Sequence, residues 1–191
     1  MKVIRTFVAI LITDDLRRNI SEVQARLKKL APDVKWVAPK NFHVTLKFLG
    51  NILEDDLPDV YDAVEEAAKM LAPFDLSLEG LGAFPSPLKA KVVWVGIKDG
   101  RDKLIALASA VENNLADLGY EKEDRPFAAH ITIGRVRQSK FLAKLAEGID
   151  KVDSDDLGTQ QVLSVAVMQS EILREGPIYS PLKLIKLSGG E

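Results

Sequence analysis

A four-residue pattern that occurs twice constrains this chain more than any other feature. The chain contains two histidines, and each begins the same pattern: His43-Val44-Thr45-Leu46 and His130-Ile131-Thr132-Ile133. In an extended strand successive side chains point to opposite faces, so each histidine shares a face with the threonine two residues later. The repeat therefore predicts two equivalent strands, each presenting an imidazole beside a hydroxyl group.

The composition is that of an ordinary globular protein. Of the 191 residues, 47% are hydrophobic and 28% are charged, which is enough apolar material for a packed core and argues against disorder. The formal net charge is −2, so no global positive field attracts long nucleic acid, and any such contact must be local. The absence of cysteine excludes disulfides, thiolate zinc sites, iron–sulfur clusters and a cysteine nucleophile.

Hydrophobic periodicity predicts more strands than helices, and several strands are consecutive. This order favours an α+β fold with antiparallel pairing over a doubly wound parallel sheet. No stretch resembles an interdomain linker, so residues 1–191 are expected to form a single bilobal domain. Strands are predicted at 1–12, 43–50, 74–81, 91–97, 130–136, 162–168 and 182–187, helices at 14–31, 55–71 and 102–118 and after Ser139, and a loop around Gly176.

Two strands related by an approximate two-fold axis would bring both histidine patterns to one cleft. Two imidazoles and two hydroxyls around one ligand atom suit a phosphorus centre. The hydroxyls of Thr45 and Thr132 can donate to its non-bridging oxygens, while one imidazole accepts a proton and the other donates one. Imidazole, with an unperturbed pKa of about 6.5, performs either task near neutral pH.

Two other interpretations of the histidines carry less weight. A single strand histidine is more often a hydrogen-bonded structural residue, but the matched repeat favours a shared site. Two histidines without a third ligand at suitable spacing also fall short of a metal site. We therefore predict neither a metal nor another cofactor.

The chain resembles a known family, the two-histidine phosphoesterases, and within it the RNA 2′,3′-cyclic phosphodiesterases, also called 2′-5′ RNA ligases. The resemblance covers the full length and includes both histidine patterns and the segments 5–10, 36–39, 43–50 and 130–135. It implies two pseudo-symmetric lobes, each an antiparallel sheet backed by helices, with a central cleft.

The resemblance also implies roles for the repeated residues. His43 corresponds to the proton donor and His130 to the proton acceptor, while Thr45 and Thr132 hold phosphate oxygens. The implied reaction is hydrolysis of RNA 2′,3′-cyclic phosphate ends to 2′-phosphate ends without a metal. An RNA 5′-hydroxyl in place of water would give reversible 2′-5′ ligation.

Two cations near the patterns have two interpretations each. The resemblance makes Arg135 a phosphate contact, but strict alternation places it on the face opposite His130. A bulge at Gly134 would redirect it toward the phosphate; without one, Arg135 is a solvated surface charge. Lys47 shares the His43 face by alternation and is either a source of positive potential there or an edge-strand lysine.

The aromatic residues divide into core and ligand candidates. Phe7 and Phe48 are expected to pack in the core, as are Trp36 and Trp94. Phe84, in a loop flanked by prolines, is the better candidate for stacking a base.

Partners and location follow from the same expectations. The substrate is expected to be an RNA end, such as a tRNA fragment, or a small cyclic nucleotide. A module that binds such ends without turnover is the alternative from another functional class. No stretch approaches the roughly 18 apolar residues that cross a membrane, so no membrane partner is expected. We expect a monomer, and the absence of cysteine suggests a cytoplasmic location.

Overall fold

A computed structural model describes residues 2–174 and 176–190 of the chain. Within these residues there are nine strands and four α-helices. The strands are β1 (Val3–Leu11), β2 (Lys35–Trp36), β3 (His43–Leu53), β4 (Phe74–Phe84), β5 (Val92–Ile97), β6 (His130–Arg135), β7 (Thr159–Val162), β8 (Ser164–Leu173) and β9 (Gly176–Lys186). The helices are α1 (Asp14–Leu30), α2 (Leu57–Ala68), α3 (Arg101–Asp117) and α4 (Leu142–Lys151).

The strands form a single antiparallel sheet with the order β7-β4-β5-β6-β3-β1-β8-β9, and β2 pairs with β6. We call β3, β1, β8 and β9 the terminal half and β6, β5, β4 and β7 the central half. The predicted α+β class with two antiparallel, helix-backed halves is confirmed.

The two halves meet where β3 pairs with β6. The paired residues are Val44 and Ile131, both 0% exposed. Each occupies the second position of its histidine pattern, so the approximate two-fold axis that the repeat predicts passes between them. The junction therefore makes one sheet from two equivalent halves.

One face of the sheet, the helix face, carries the main core. Apolar residues of both halves pack there against the helices in one continuous cluster. Helix α1 follows β1 of the terminal half but packs on α4, which itself contacts β4 of the central half. In the same way, α3 follows β5 of the central half but packs on β3 and α2. The halves consequently interlock through their helices.

The opposite face, which carries both histidine patterns, is called the site face. A small separate cluster lies on it, formed by Phe7, Ala9, Ala166 and Met168 with Tyr179 packed against them. This face carries less apolar burial than the helix face, which leaves it available for polar side chains.

The predicted strands and helices are all present, with differences at their ends; Met1, where the first predicted strand begins, lies outside the described residues. The expected loop around Gly176 is wrong, because β9 begins at Gly176 and pairs back to Leu173 of β8 as a hairpin. Strands β2 and β7 were not predicted, since two and four residues are too few for a periodic pattern. No helix in the described part of the chain is long and apolar enough to cross a membrane.

A bulge in β3 overturns both expectations for Lys47. Thr45 pairs with Ala9 of β1 and Lys47 with Val8, so Leu46 is the extra residue. The shift turns Lys47 onto the helix face, away from His43, where it is 3% exposed. Lys47 is therefore neither a source of charge beside His43 nor an exposed edge lysine.

Buried Lys47 holds the segment that leads to the second histidine. Its Nζ donates to Glu112 Oε1 of α3 at 3.1 Å and to the Glu121 carbonyl oxygen at 2.5 Å, and Glu123 Oε1 lies 3.9 Å away. Glu112 also accepts a hydrogen bond from the Glu123 backbone N–H at 2.7 Å. These bonds compensate the burial of the ammonium group and fasten the segment before β6 to β3.

We expect Lys47→Ala to lower the free energy of unfolding by about 2–3 kcal/mol, because it removes the cation paired with the part-buried Glu112 carboxylate and leaves the Glu121 carbonyl without its donor. Urea unfolding measures the change. Lys98→Ala, which removes an exposed ion pair with Glu79, is the matched control and should leave the unfolding midpoint in place. Equal effects of the two substitutions would contradict the role given to Lys47.

Candidate active site

The β3–β6 junction brings the two histidine patterns together. Extending the antiparallel register from Val44 and Ile131 by one residue each way places His43 beside Thr132 and Thr45 beside His130. All four side chains lie on the site face. The two histidines are then diagonal neighbours, with backbones about 7–8 Å apart. One small anion can lie between them.

Both imidazoles are oriented by the same backbone contact. Nδ1 of His43 lies 2.7 Å from the Asn41 carbonyl oxygen, and Nδ1 of His130 lies 2.6 Å from the Ala128 carbonyl oxygen. A carbonyl can only accept a hydrogen bond, so Nδ1 carries the proton in each ring. Nε2 is therefore the atom of each ring that can accept or donate a proton in catalysis.

Thr45 is already in contact with its histidine. Its Oγ1 lies 2.9 Å from Nε2 of His43. With neutral His43 the hydroxyl donates to Nε2, and with protonated His43 it accepts. The hydroxyl thus stands at the atom where a phosphate oxygen would meet the imidazole.

Asn41 is a positioning residue that the sequence did not reveal. Its side chain is buried and donates to the Pro177 carbonyl oxygen at 2.8 Å, while its own carbonyl holds His43. Asn41 therefore links the β8–β9 hairpin to the orientation of the imidazole. Its place two residues before the histidine was the only available signal, and Ala128 at the equivalent place has no such side chain.

Each imidazole also meets an aromatic ring edge-on. The ring centroid of Tyr179 lies 5.3 Å from that of His43 with an interplanar angle of 90°, and the centroid of Phe84 lies 5.2 Å from that of His130 at 88°. Phe7 contacts His43 from a third direction, with 5.0 Å between the centroids. The rings exclude water from the sides of the imidazoles and limit their rotation.

Two of the aromatic expectations are wrong. Phe48 is 56% exposed, because the β3 bulge at Leu46 places it on the site face, where it pairs with Phe7. Trp94 pairs with Thr132 on the same face and is half-buried beneath Phe84, with ring centroids 5.3 Å apart. Phe7 is buried as expected, and Trp36 packs against the core. Phe84 is 38% exposed beside His130, and it is the last residue of β4 rather than part of the expected loop.

A bulge in β6 determines where Arg135 points. Thr132 pairs with Trp94 of β5 and Gly134 with Val93, so Ile133 is the extra residue. Beyond the bulge the alternation is reversed, and exposed Arg135 returns to the face of His130 and Thr132.

Two contacts stabilise this bulge. Gln24 of α1 donates from its amide nitrogen to the Ile133 carbonyl oxygen at 2.8 Å. Strand β2 pairs Trp36 with Gly134, and a Cβ at position 134 would lie 2.9 Å from the indole ring. Glycine is therefore required there by close approach of the ring.

Burial and charge both keep the imidazoles neutral. Desolvation is the largest cause and lowers the pKa of His43 and of His130 below the usual 6.5. The positive charge of Arg135 lowers the pKa of both further, and His130 does the same to His43. The hydrogen bonds to Asn41 and Ala128 oppose these shifts in part.

No three His, Asp or Glu side chains within residues 2–174 and 176–190 cluster closely enough to hold a metal ion. The reaction without a metal remains a prediction.

Comparison with known proteins gives relatives along the whole chain. The RNA 2′,3′-cyclic phosphodiesterase of Archaeoglobus fulgidus is 35% identical to this protein over 95% of this chain and 99% of its own length. The RNA 2′,3′-cyclic phosphodiesterase of Aquifex aeolicus is 35% identical over 99% of this chain and 100% of its own length. The corresponding protein of Methanothermobacter thermautotrophicus is 32% identical over 96% of this chain and 99% of its own.

Solved structures share the fold. A protein of Thermus thermophilus superimposes with a TM-score of 0.82 at 26% identity, covering 98% of this chain and 100% of that one. E. coli LigT in complex with 3′-AMP gives a TM-score of 0.76 at 25% identity, covering 98% and 99%.

A family model described as LigT-like phosphoesterase matches this chain twice, at residues 10–94 and 95–179. Each match contains one histidine pattern, which agrees with the two-fold relation at the β3–β6 junction. Together the two matches cover most of the chain, and this protein belongs to the LigT-like phosphoesterase family.

Proposed function

We propose that this protein hydrolyses 2′,3′-cyclic phosphate ends of RNA to 2′-phosphate ends. The observation that carries the proposal is the matched pair of imidazoles: each is fixed through Nδ1 by a backbone carbonyl, and the two lie across one junction. Relatives of similar length and 32–35% identity are RNA 2′,3′-cyclic phosphodiesterases, which supports the same substrate class here.

In the proposed reaction His130 is the proton acceptor and His43 the proton donor. Water attacks phosphorus and loses a proton to Nε2 of His130, while the bond from phosphorus to the 3′ oxygen breaks. Nε2 of protonated His43 donates its proton to that oxygen, leaving a 3′-hydroxyl and a 2′-phosphate. Both protons are accounted for by the two rings, so the step requires no cofactor.

The remaining groups stabilise the phosphate. The Thr45 and Thr132 hydroxyls donate to the non-bridging oxygens from either side of the junction. Arg135, returned to this face by the β6 bulge, adds a positive charge where negative charge accumulates in the transition state. The two halves thus supply one hydroxyl each, and Arg135 breaks the symmetry between them.

The same machinery accommodates a second reaction. If an RNA 5′-hydroxyl takes the place of water, His130 accepts its proton and a 2′-5′ phosphodiester forms. The high concentration of water favours hydrolysis. We further propose that RNA ends such as tRNA fragments are the substrates, and that the protein acts as a cytoplasmic monomer.

We expect His43→Ala and His130→Ala each to lower kcat by about 10²–10⁴-fold on an oligoribonucleotide with a cyclic end, because each removes one proton transfer. Multiple-turnover assays with separation of 2′- and 3′-phosphate products measure this. The unfolding midpoint of each variant serves as the folding control.

A 3′-phosphate product would show that the leaving oxygen is assigned wrongly. Stoichiometric binding without turnover by the unaltered protein would instead favour a binding module.

The lowered pKa values predict an acidic optimum. Rate rises with pH as His130 loses its proton and falls as His43 loses its own, and both pKa values lie below 6.5 in the free enzyme. The optimum of kcat/KM should therefore lie below about pH 6.5. The optimum of kcat should lie at higher pH, because bound phosphate favours the imidazolium form.

Replacing Arg135 tests whether its positive charge contributes to the lowered pKa values of the two histidines. Arg135→Gln removes a charge that lowers both pKa values, so both limbs of the pH profile should move to higher pH. The two histidine C2–H resonances in proton NMR follow the same titrations directly. Arg18→Gln, an equal charge change on α1, is the control, and identical titrations for both variants would contradict the position of Arg135.

Removal of metals should leave the activity intact. We expect dialysis against EDTA to leave kcat unchanged, since the two imidazoles carry both proton transfers. Loss of activity that a divalent cation restores would exclude the reaction described above.

A further inference from the structure

The site face continues beyond the histidine pair toward Arg5. Arg5 lies two residues before Phe7 on β1 and therefore shares its face, and it pairs with Asn51 of β3. Arg5 is four residues from Ala9, which pairs with Thr45. The distance along β1 between Arg5 and Ala9 is therefore about 13 Å. That separation is too large for contact with the reacting phosphorus and suits a more distant part of a substrate.

An aromatic platform spans this distance. It consists of Phe7, Phe48 and Tyr179. The ring centroid of Phe7 lies 5.0 Å from that of His43, 5.0 Å from that of Tyr179 and 6.1 Å from that of Phe48. Phe7 is 3% exposed and supports the platform, whereas Phe48 is 56% exposed and offers a free ring. Aromatic rings beside a cleft of this kind are the usual surface on which single-stranded bases stack.

Arg5 supplies positive charge at the far end of the platform. It is exposed, and within the described residues no carboxylate lies within ion-pair distance of it. Continuing the β1–β8 register places Arg5 beside Ser170, whose partner on β9 is Tyr179. Burial raises the pKa of Tyr179, and the charges of Arg135 and Arg5 oppose that rise. The Tyr179 hydroxyl therefore lies in the electrostatic field of two guanidinium groups, that of Arg135 at the reacting centre and that of Arg5 beyond it.

We propose that Arg5, Phe48 and Tyr179 form a subsite for the nucleotide that precedes the cyclic end. Arg5 binds a phosphodiester of the RNA chain, and Phe48 stacks a base. This inference rests on the proposed function and extends it: the subsite selects an oligoribonucleotide over a cyclic mononucleotide, which has no such nucleotide.

The test compares two substrates on the same variants. One substrate is a short oligoribonucleotide with a 2′,3′-cyclic end, and the other is a 2′,3′-cyclic mononucleotide. Phe48→Ala and Arg5→Gln should each lower the ratio of kcat/KM for the oligonucleotide to that for the mononucleotide, Phe48→Ala by roughly 5- to 100-fold. Met70→Ala and Arg18→Gln, at exposed positions away from the site face, are matched controls that should leave the ratio unchanged.

Salt dependence separates the phosphate contact from the stacking contact. For the oligonucleotide, Arg5→Gln should reduce the slope of log kcat/KM against log salt concentration by about 0.7, the value for one single-strand phosphate. Phe48→Ala should lower kcat/KM without changing that slope, because a stacked base carries no counterion.

The outcomes distinguish the two proposals. If the unaltered protein turns over neither substrate, the proposed function is wrong, and the proposed subsite is wrong as well. If it turns over both, but Phe48→Ala and Arg5→Gln leave the ratio unchanged, the proposed function stands and the subsite is overturned.

Discussion

The site depends on one pairing, that of Val44 with Ile131. These two buried residues join the halves of the sheet and set the register in which His43 meets Thr132 and Thr45 meets His130. A slip of one residue would turn one pattern toward the helix face, because side chains alternate along a strand. Apolar burial of the second residue in each pattern therefore holds the site face in place, and the helices that cross between the halves reinforce it.

Two bulges then determine the faces on which Lys47 and Arg135 lie. In β3 the extra residue Leu46 places Lys47 on the helix face, where its ammonium group donates a hydrogen bond to the Glu121 carbonyl oxygen in the segment before His130. In β6 the extra residue Ile133 brings Arg135 back to the site face. The sequence could raise the second bulge only as an alternative at Gly134, and it contained no sign of the first. Strict alternation fails at such points because a bulge is fixed by its partner strands, as Gly134 is by Trp36.

Burial and positive charge give the site a resting state suited to an anion. Desolvation and Arg135 keep both imidazoles neutral in the free protein. In the proposed reaction a bound phosphate brings negative charge, which favours protonation of one ring and creates the acid and base pair. Because the halves are equivalent and each ring has one edge-on aromatic neighbour, the placement of the nucleotide would select which ring donates in that reaction.

Hydrophobic periodicity along the sequence determined the α+β class, and the repeated pattern determined the equivalence of the two strands and the residue types at the site, since both are local properties of the chain. Tertiary structure decided the rest. Asn41 became a positioning residue only because the β8–β9 hairpin folds back onto it, and Phe48 became exposed only because of the pairing of β3 with β1. These features arise from contacts between segments distant in sequence, and no local pattern encodes such contacts.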